Sequence, residues 1–207
     1  MNTWIPAVGI KRHAESLRGL TDDDLLLVLQ SVEPLPDGQE IDGGWVEDEP
    51  YDRLELLIAL ADQIGERRLL AGIAPLYERA SLGDGAEFMQ SIRHGPEQAV
   101  APDFGRLTEI LRPLAAHERP GCRLWVVREL GVLRDPSALG EMLGALDDDA
   151  ELVRDEACMS LGMIWSSLDN VRRAAVENRL ARAAETDSSS AVRAAAARAL
   201  SRLSDQK

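Results

Sequence analysis

Apolar residues recur every three or four positions along most of this 207-residue chain, the spacing that lines one face of an α-helix. In "LTDDDLLLVLQSV", Thr21 is placed to cap a helix, and Asp22, Asp23 and Asp24 fill its first turn against the helix dipole. Leu25, Leu26, Val28, Leu29 and Val32 follow, and Pro34 and Pro36 end the run. From residue 33 to residue 52 the chain is rich in acids and turn residues with no helical period, which predicts a long loop. Periodicity resumes with Leu54, Leu57, Ile58, Ala61 and Ile64, then Leu69 or Leu70, Ile73, Leu76 and Tyr77. Gly65 falls between the two stripes where a helix would stop, so a helical hairpin is expected. A less regular stretch predicts a helix near residues 86–93 and a turn at "HGPEQAVAPD". Another helix runs through Leu107, Ile110, Leu111 and Leu114, where Pro113 should kink or split it.

The C-terminal half repeats itself. "LVRDEACMSLGMI" (152–164) returns as "AVRAAAARALSRL" (191–203), and a Leu follows the Arg by seven positions in both. The same interval links Arg123 to Leu130 and, more weakly, Arg53 to Leu60. Val153, Ala157 and Leu161 lie four apart and share a helix face, which is apolar in each strong copy. Between copies, Asp135 and Pro136 open a second helix striped by Leu139, Met142, Leu143 and Leu146, and Asp147, Asp148 and Asp149 turn the chain into the next Arg helix. The unit is helix, turn, helix, with 31 residues from Arg123 to Arg154 and 39 from Arg154 to Arg193. Such a unit cannot bury its stripe alone, so neighbours must stack.

The Val-Arg pair, the helix ending in "LG", the "RDPSAL" linker and the "DDDAELVR" turn resemble the HEAT repeat family, in the short bacterial HEAT-like or bilin-lyase-type form. The resemblance covers residues 122–203, with a degenerate version near 53–80. It implies an all-α fold, a right-handed α-α superhelix (a HEAT-like helical solenoid), with an irregular N-terminal half. The parts would be an N-terminal helix and acidic loop (1–50), degenerate helical hairpins (51–120) and HEAT-like repeats (121–207). Helices 122–133, 152–164 and 191–203 would line the concave side. The family's Arg commonly pairs with an Asp in a turn of its own or the adjoining repeat. That makes Arg154 and Arg193, with Asp148 and Asp187 six residues before each, structural residues.

Composition narrows the function. Aromatic residues are only 4% of a chain dominated by Leu and Ala, which favours closely packed helices over sheets. The formal charge of −13 opposes general nucleic-acid binding, although residues 170–207 carry a net +4 against −17 in residues 1–169. Cys122 and Cys158 have no CxxC spacing and are expected to be buried thiols, so no metal site is expected of them. His13, His94 and His117 are expected at the surface: the family's iron hydroxylases assemble several His-Glu pairs, and this chain has one, His117-Glu118. The family's DNA glycosylases use a basic groove, which an acidic chain does not suggest. No phosphate loop, nucleophile motif or cofactor signature is evident, and no apolar run has membrane-spanning length. A soluble, cytoplasmic, non-catalytic protein is therefore expected.

The function expected is binding of another protein, a basic one, through the concave face and the acidic loops. Exposed positions expected to make contact are Arg128, Glu129, Asp155, Glu156 and Met159, with Trp45 from the acidic loop as either an interface residue or one docked on its own surface. Trp125 and Trp165 are expected in helix packing. Two alternatives stand beside this: an immunity or antidote protein masking a basic toxin, and an accessory or lyase-type enzyme subunit.

Overall fold

The chain is all-helical in its computed structural model, which describes residues 7–34, 49–79 and 86–204. Trp45 lies outside the described residues, as does most of the loop expected at 33–52. The described helices divide between two units, residues 1–110 and 111–207.

In the first unit, α3 (Glu49–Arg67) is the central helix, and α1 (Ala7–Leu17), α2 (Asp22–Ser31), α4 (Ile73–Tyr77) and α5 (Ala86–Val100) pack on it. Its expected stripe is the core: Leu54, Leu57, Ile58, Ala61 and Ile64 are buried together with Leu25, Leu29, Ile73, Leu76 and Tyr77. Thr21 caps α2 as expected, its hydroxyl oxygen accepting from the Asp24 backbone N–H at 3.2 Å. Two arginines satisfy orphan carbonyls at helix ends. Arg67 donates to the carbonyls of Leu17, Arg18 and Leu20 after α1, and Arg79 to those of Gln30 and Val32 at the end of α2.

Three expectations are corrected here. Gly65 does not end a helix: α3 runs on to Arg67, and the chain turns at Arg68, whose φ is +55°. Gly65 is a helix-contact residue, because a Cβ there would meet the Gly95 carbonyl oxygen of α5 at 2.9 Å. The turn expected at "HGPEQAVAPD" is mostly helix, since α5 continues through Pro96 to Val100. Gly95 is what permits this packing, since a Cβ there would collide with the Ala61 carbonyl. The expected loop also ends early, at Glu49 where α3 begins, and α1 forms with no strong start signal before it.

Helix α6 (Phe104–Leu111) ends before Pro113, and the chain goes on as a short 3₁₀ turn, as a proline-split helix should. In the second unit, α7 (Pro120–Leu133), α9 (Glu151–Ile164) and α11 (Ser190–Ser204) are the three repeat helices; α7 packs on α9 and α9 on α11. The short α8 (Leu139–Gly144) backs α7 and α9, and α10 (Asn170–Thr186) backs α11. The shared apolar face is the core of this unit: Val153, Ala157 and Leu161 are fully buried, as are Val126, Leu130, Val192 and Ala196. Trp125 and Trp165 are buried too, with Arg128 5.2 Å over the first ring and Arg173 5.6 Å over the second.

Candidate protein-binding groove

The three repeat arginines anchor the helices that carry the site. Each sends Nη1 back to the carbonyl oxygens five and six residues upstream: Arg123 to His117 and Glu118, Arg154 to Asp148 and Asp149, Arg193 to Asp187 and Ser188. The rest of the guanidinium reaches forward to the next turn. Arg123 forks onto the Asp148 carboxylate through Nε and Nη2, both at 2.7 Å, and Arg154 forks onto Asp187 at 2.9 and 3.2 Å. Asp148 and Asp187 also accept the backbone N–H two residues on, from Ala150 and Ser189. The resemblance allows each arginine an Asp of its own or of the adjoining repeat: Arg154 takes the Asp187 carboxylate of the next repeat, and Asp148 and Asp187 offer Arg154 and Arg193, six residues on, only their backbone carbonyls. Burial alone would raise both carboxyls. The arginine and backbone N–H bonds outweigh it, and both lie below the usual carboxylate range.

The acidic turn expected to attract a basic partner is taken up within the chain. Asp147 pairs with Arg179 of α10, and Asp148 and Asp149 both pair with Arg123. In "TDDD", Asp22 pairs with Arg67, and Asp24 accepts from the Thr21 hydroxyl.

Helix spacing then opens a groove. Gly131 and Gly162 each stand eight residues after a repeat arginine, Arg123 and Arg154. At Gly131 the helices touch, since a Cβ there would meet the Ser160 Cβ at 2.6 Å; at Gly162 a Cβ would meet nothing within 4 Å. The space between α9 and α11 is a groove of about 460 Å³, floored by Cys158, Gly162, Ala195 and Ala199. Met159 and Met163 of α9 stand on one side, and Arg198 and Arg202 of α11 on the other. Arg134 reaches it from the end of α7, where the backbone is left-handed (φ +54°), a conformation for which glycine is the usual residue. Arg134, Arg198 and Arg202 are exposed, and none has an ion pair or hydrogen bond among the described residues. No acidic residue lines the groove. Burial raises the Cys158 thiol to about 12, so at neutral pH it carries no nucleophilic thiolate.

The expected contact residues divide. Met159, 42% exposed, lines the groove. Asp155 is half-buried beside it, its carboxyl raised by burial against the attraction of Arg198. Arg128 is half-buried over Trp125. Glu129 and Glu156, expected at the surface, are only 4% and 5% exposed. They sit one position round the helix from the outward stripe, since a single residue turns an α-helix by about 100°. Burial brings Glu156 to about 7, with Arg128 and the Ser160 hydroxyl pulling down and Asp155 pushing up. Arg134, Arg198 and Arg202 were not singled out from sequence. The available signals were the glycines in matching register and the lengthening of the repeat from 31 to 39 residues.

No protein-family model matches the chain, and no curated protein does. Among solved structures, it is similar to an engineered protein whose crystal structure comes from the Northeast Structural Genomics Consortium, with a TM-score of 0.50 and 15% identity. The match covers 95% of this chain and 96% of that one, and at this identity it speaks to fold alone.

Proposed function

We propose that this chain is a non-catalytic HEAT-like helical-repeat protein that binds a segment of another protein in the groove between α9 and α11. The observation that carries the reading is the groove itself, held open at Gly162 where the matching position, Gly131, is closed by Ser160. An exposed concavity with an apolar floor and unpaired charges on its rim suits a protruding polypeptide. Its side chains offer binding without chemistry, since arginines stay protonated and the one thiol is held neutral. Asp22, Asp147, Asp148 and Asp149 are engaged in intramolecular ion pairs, so the reading rests on the groove and not on those acidic turns.

The test is affinity capture from the source cell's extract with the tagged wild-type chain and with Gly162→Phe, whose ring would fill the groove. A protein retained by the wild type and lost by the variant, with helicity unchanged in circular dichroism, supports the reading. Capture of the same proteins by both chains overturns it.

A further inference from the structure

The two sides of the groove differ in chemistry, and the difference names the ligand. Met159 and Met163 are four apart on α9, so they rise together along one wall, separated by about 6 Å of helix. Arg198 and Arg202 are four apart on α11 and form the facing wall in the same way. One wall is therefore thioether and adaptable, the other guanidinium and cationic. A third arginine, Arg134, reaches the groove from the end of α7.

We propose that the groove selects an acidic polypeptide segment that sets apolar side chains against Met159 and Met163 and carboxylates against Arg198 and Arg202. This rests on the protein-binding reading of the groove and specifies its partner. Charge complementarity carries the choice: three arginines line the groove with one carboxylate, Asp155, flanking it near Arg198, an excess of positive charge on a chain whose formal charge is −13. Guanidinium forks match carboxylates in a two-bond geometry, already used inside this protein by Arg123 on Asp148 and Arg154 on Asp187. A nucleic acid would also be anionic, but it would leave the methionine wall against sugar and phosphate, with no apolar side chain to cover it.

The probe is a fluorescein-labelled peptide of alternating leucines and glutamates, measured by fluorescence anisotropy against the full chain. Companion peptides carry glutamine or lysine in place of every glutamate. The glutamate peptide is expected to bind the wild type, with the glutamine and lysine versions weaker by roughly tenfold or more. The double variant Arg198→Glu/Arg202→Glu should reverse the order and bind the lysine peptide best. Both positions are exposed, so the fold tolerates the change. Equal binding of all three peptides, no binding of the glutamate peptide, or an order unchanged by the double variant would overturn the proposal. If these peptides fail while Gly162→Phe still abolishes capture of a cellular protein, the acidic-ligand assignment falls and the protein-binding reading stands. If that capture is indifferent to Gly162→Phe, the reading itself falls.

Discussion

Arg154 and Glu156 are two residues apart on α9 and affect stability in opposite senses. Arg154 joins successive repeats, with its partner Asp187 only 8% exposed at the side chain. Replacing it by alanine leaves a largely buried carboxylate without its fork and strips the Asp148 and Asp149 carbonyls of a donor. Arg154→Ala should therefore cost about 2–3 kcal/mol, read as a lower urea midpoint, and an unchanged midpoint would refute the structural role. Glu156 is buried and raised from 4.5 to about 7. Its protonated form is the one the fold prefers, so the stability it contributes is complete below 4.5 and is lost as pH rises through 7. Glu156→Gln should then leave stability unchanged near pH 4 and raise it at pH 8, by an amount on the order of 2–3 kcal/mol. Asp148 and Asp187, held low, behave oppositely: their contribution is present above the ordinary carboxylate value and disappears in stronger acid. Urea titrations at pH 5 and pH 8 separate the two effects, since of these three carboxyls Glu156 is the one that titrates between them.

Pairs of helices, and not single helices, decide what the glycines do. Gly95 lets α3 and α5 approach until a Cβ would collide with backbone, and backbone cannot swing aside as a side chain can. Gly95→Ala should cost more than about 3 kcal/mol by forcing the helices apart. Gly162 faces the open groove, so Gly162→Ala should instead stabilise α9 by about 0.5–1 kcal/mol through reduced backbone freedom. Thermal unfolding of the two variants should move in opposite directions, and movement in the same direction would refute the contrast. The same distinction explains what was legible in the sequence. Thr21, the stripe from Leu54 to Ile64, Pro113 and the Val-Arg repeats are local signals, and each marks the element it predicts. Gly65 was misjudged because a glycine at a helix end and one at a helix crossing look alike until the second helix is in place. The extension of α5 through Pro96 was hidden for a similar reason: neighbouring packing outweighs the lost backbone donor. Glu129 and Glu156 failed through helix phase, which their charge suggested wrongly. The groove was half visible: Met159 was singled out, but Arg198 and Arg202 became meaningful only with the gap at Gly162.

Across the whole molecule, the local charge of the groove and the total charge oppose each other. A glutamate-rich ligand approaching from a distance meets a formal −13 and is repelled; within reach of Arg134, Arg198 and Arg202 it is attracted. Salt separates the two ranges, since the screening length falls from about 30 Å at 0.01 M to about 8 Å at 0.15 M. Over that interval the long-range repulsion should fade faster than the contact attraction. The association rate of the labelled glutamate peptide should therefore rise with salt, the reverse of the usual behaviour of oppositely charged partners. The dissociation rate should rise as well, because rim contacts with arginine weaken under screening. Stopped-flow anisotropy measures both rates. An association rate that falls steadily with salt would mean that the arginines govern the approach as well as the contact. A dissociation rate indifferent to salt would mean that the methionine wall, and not the arginine wall, holds the ligand.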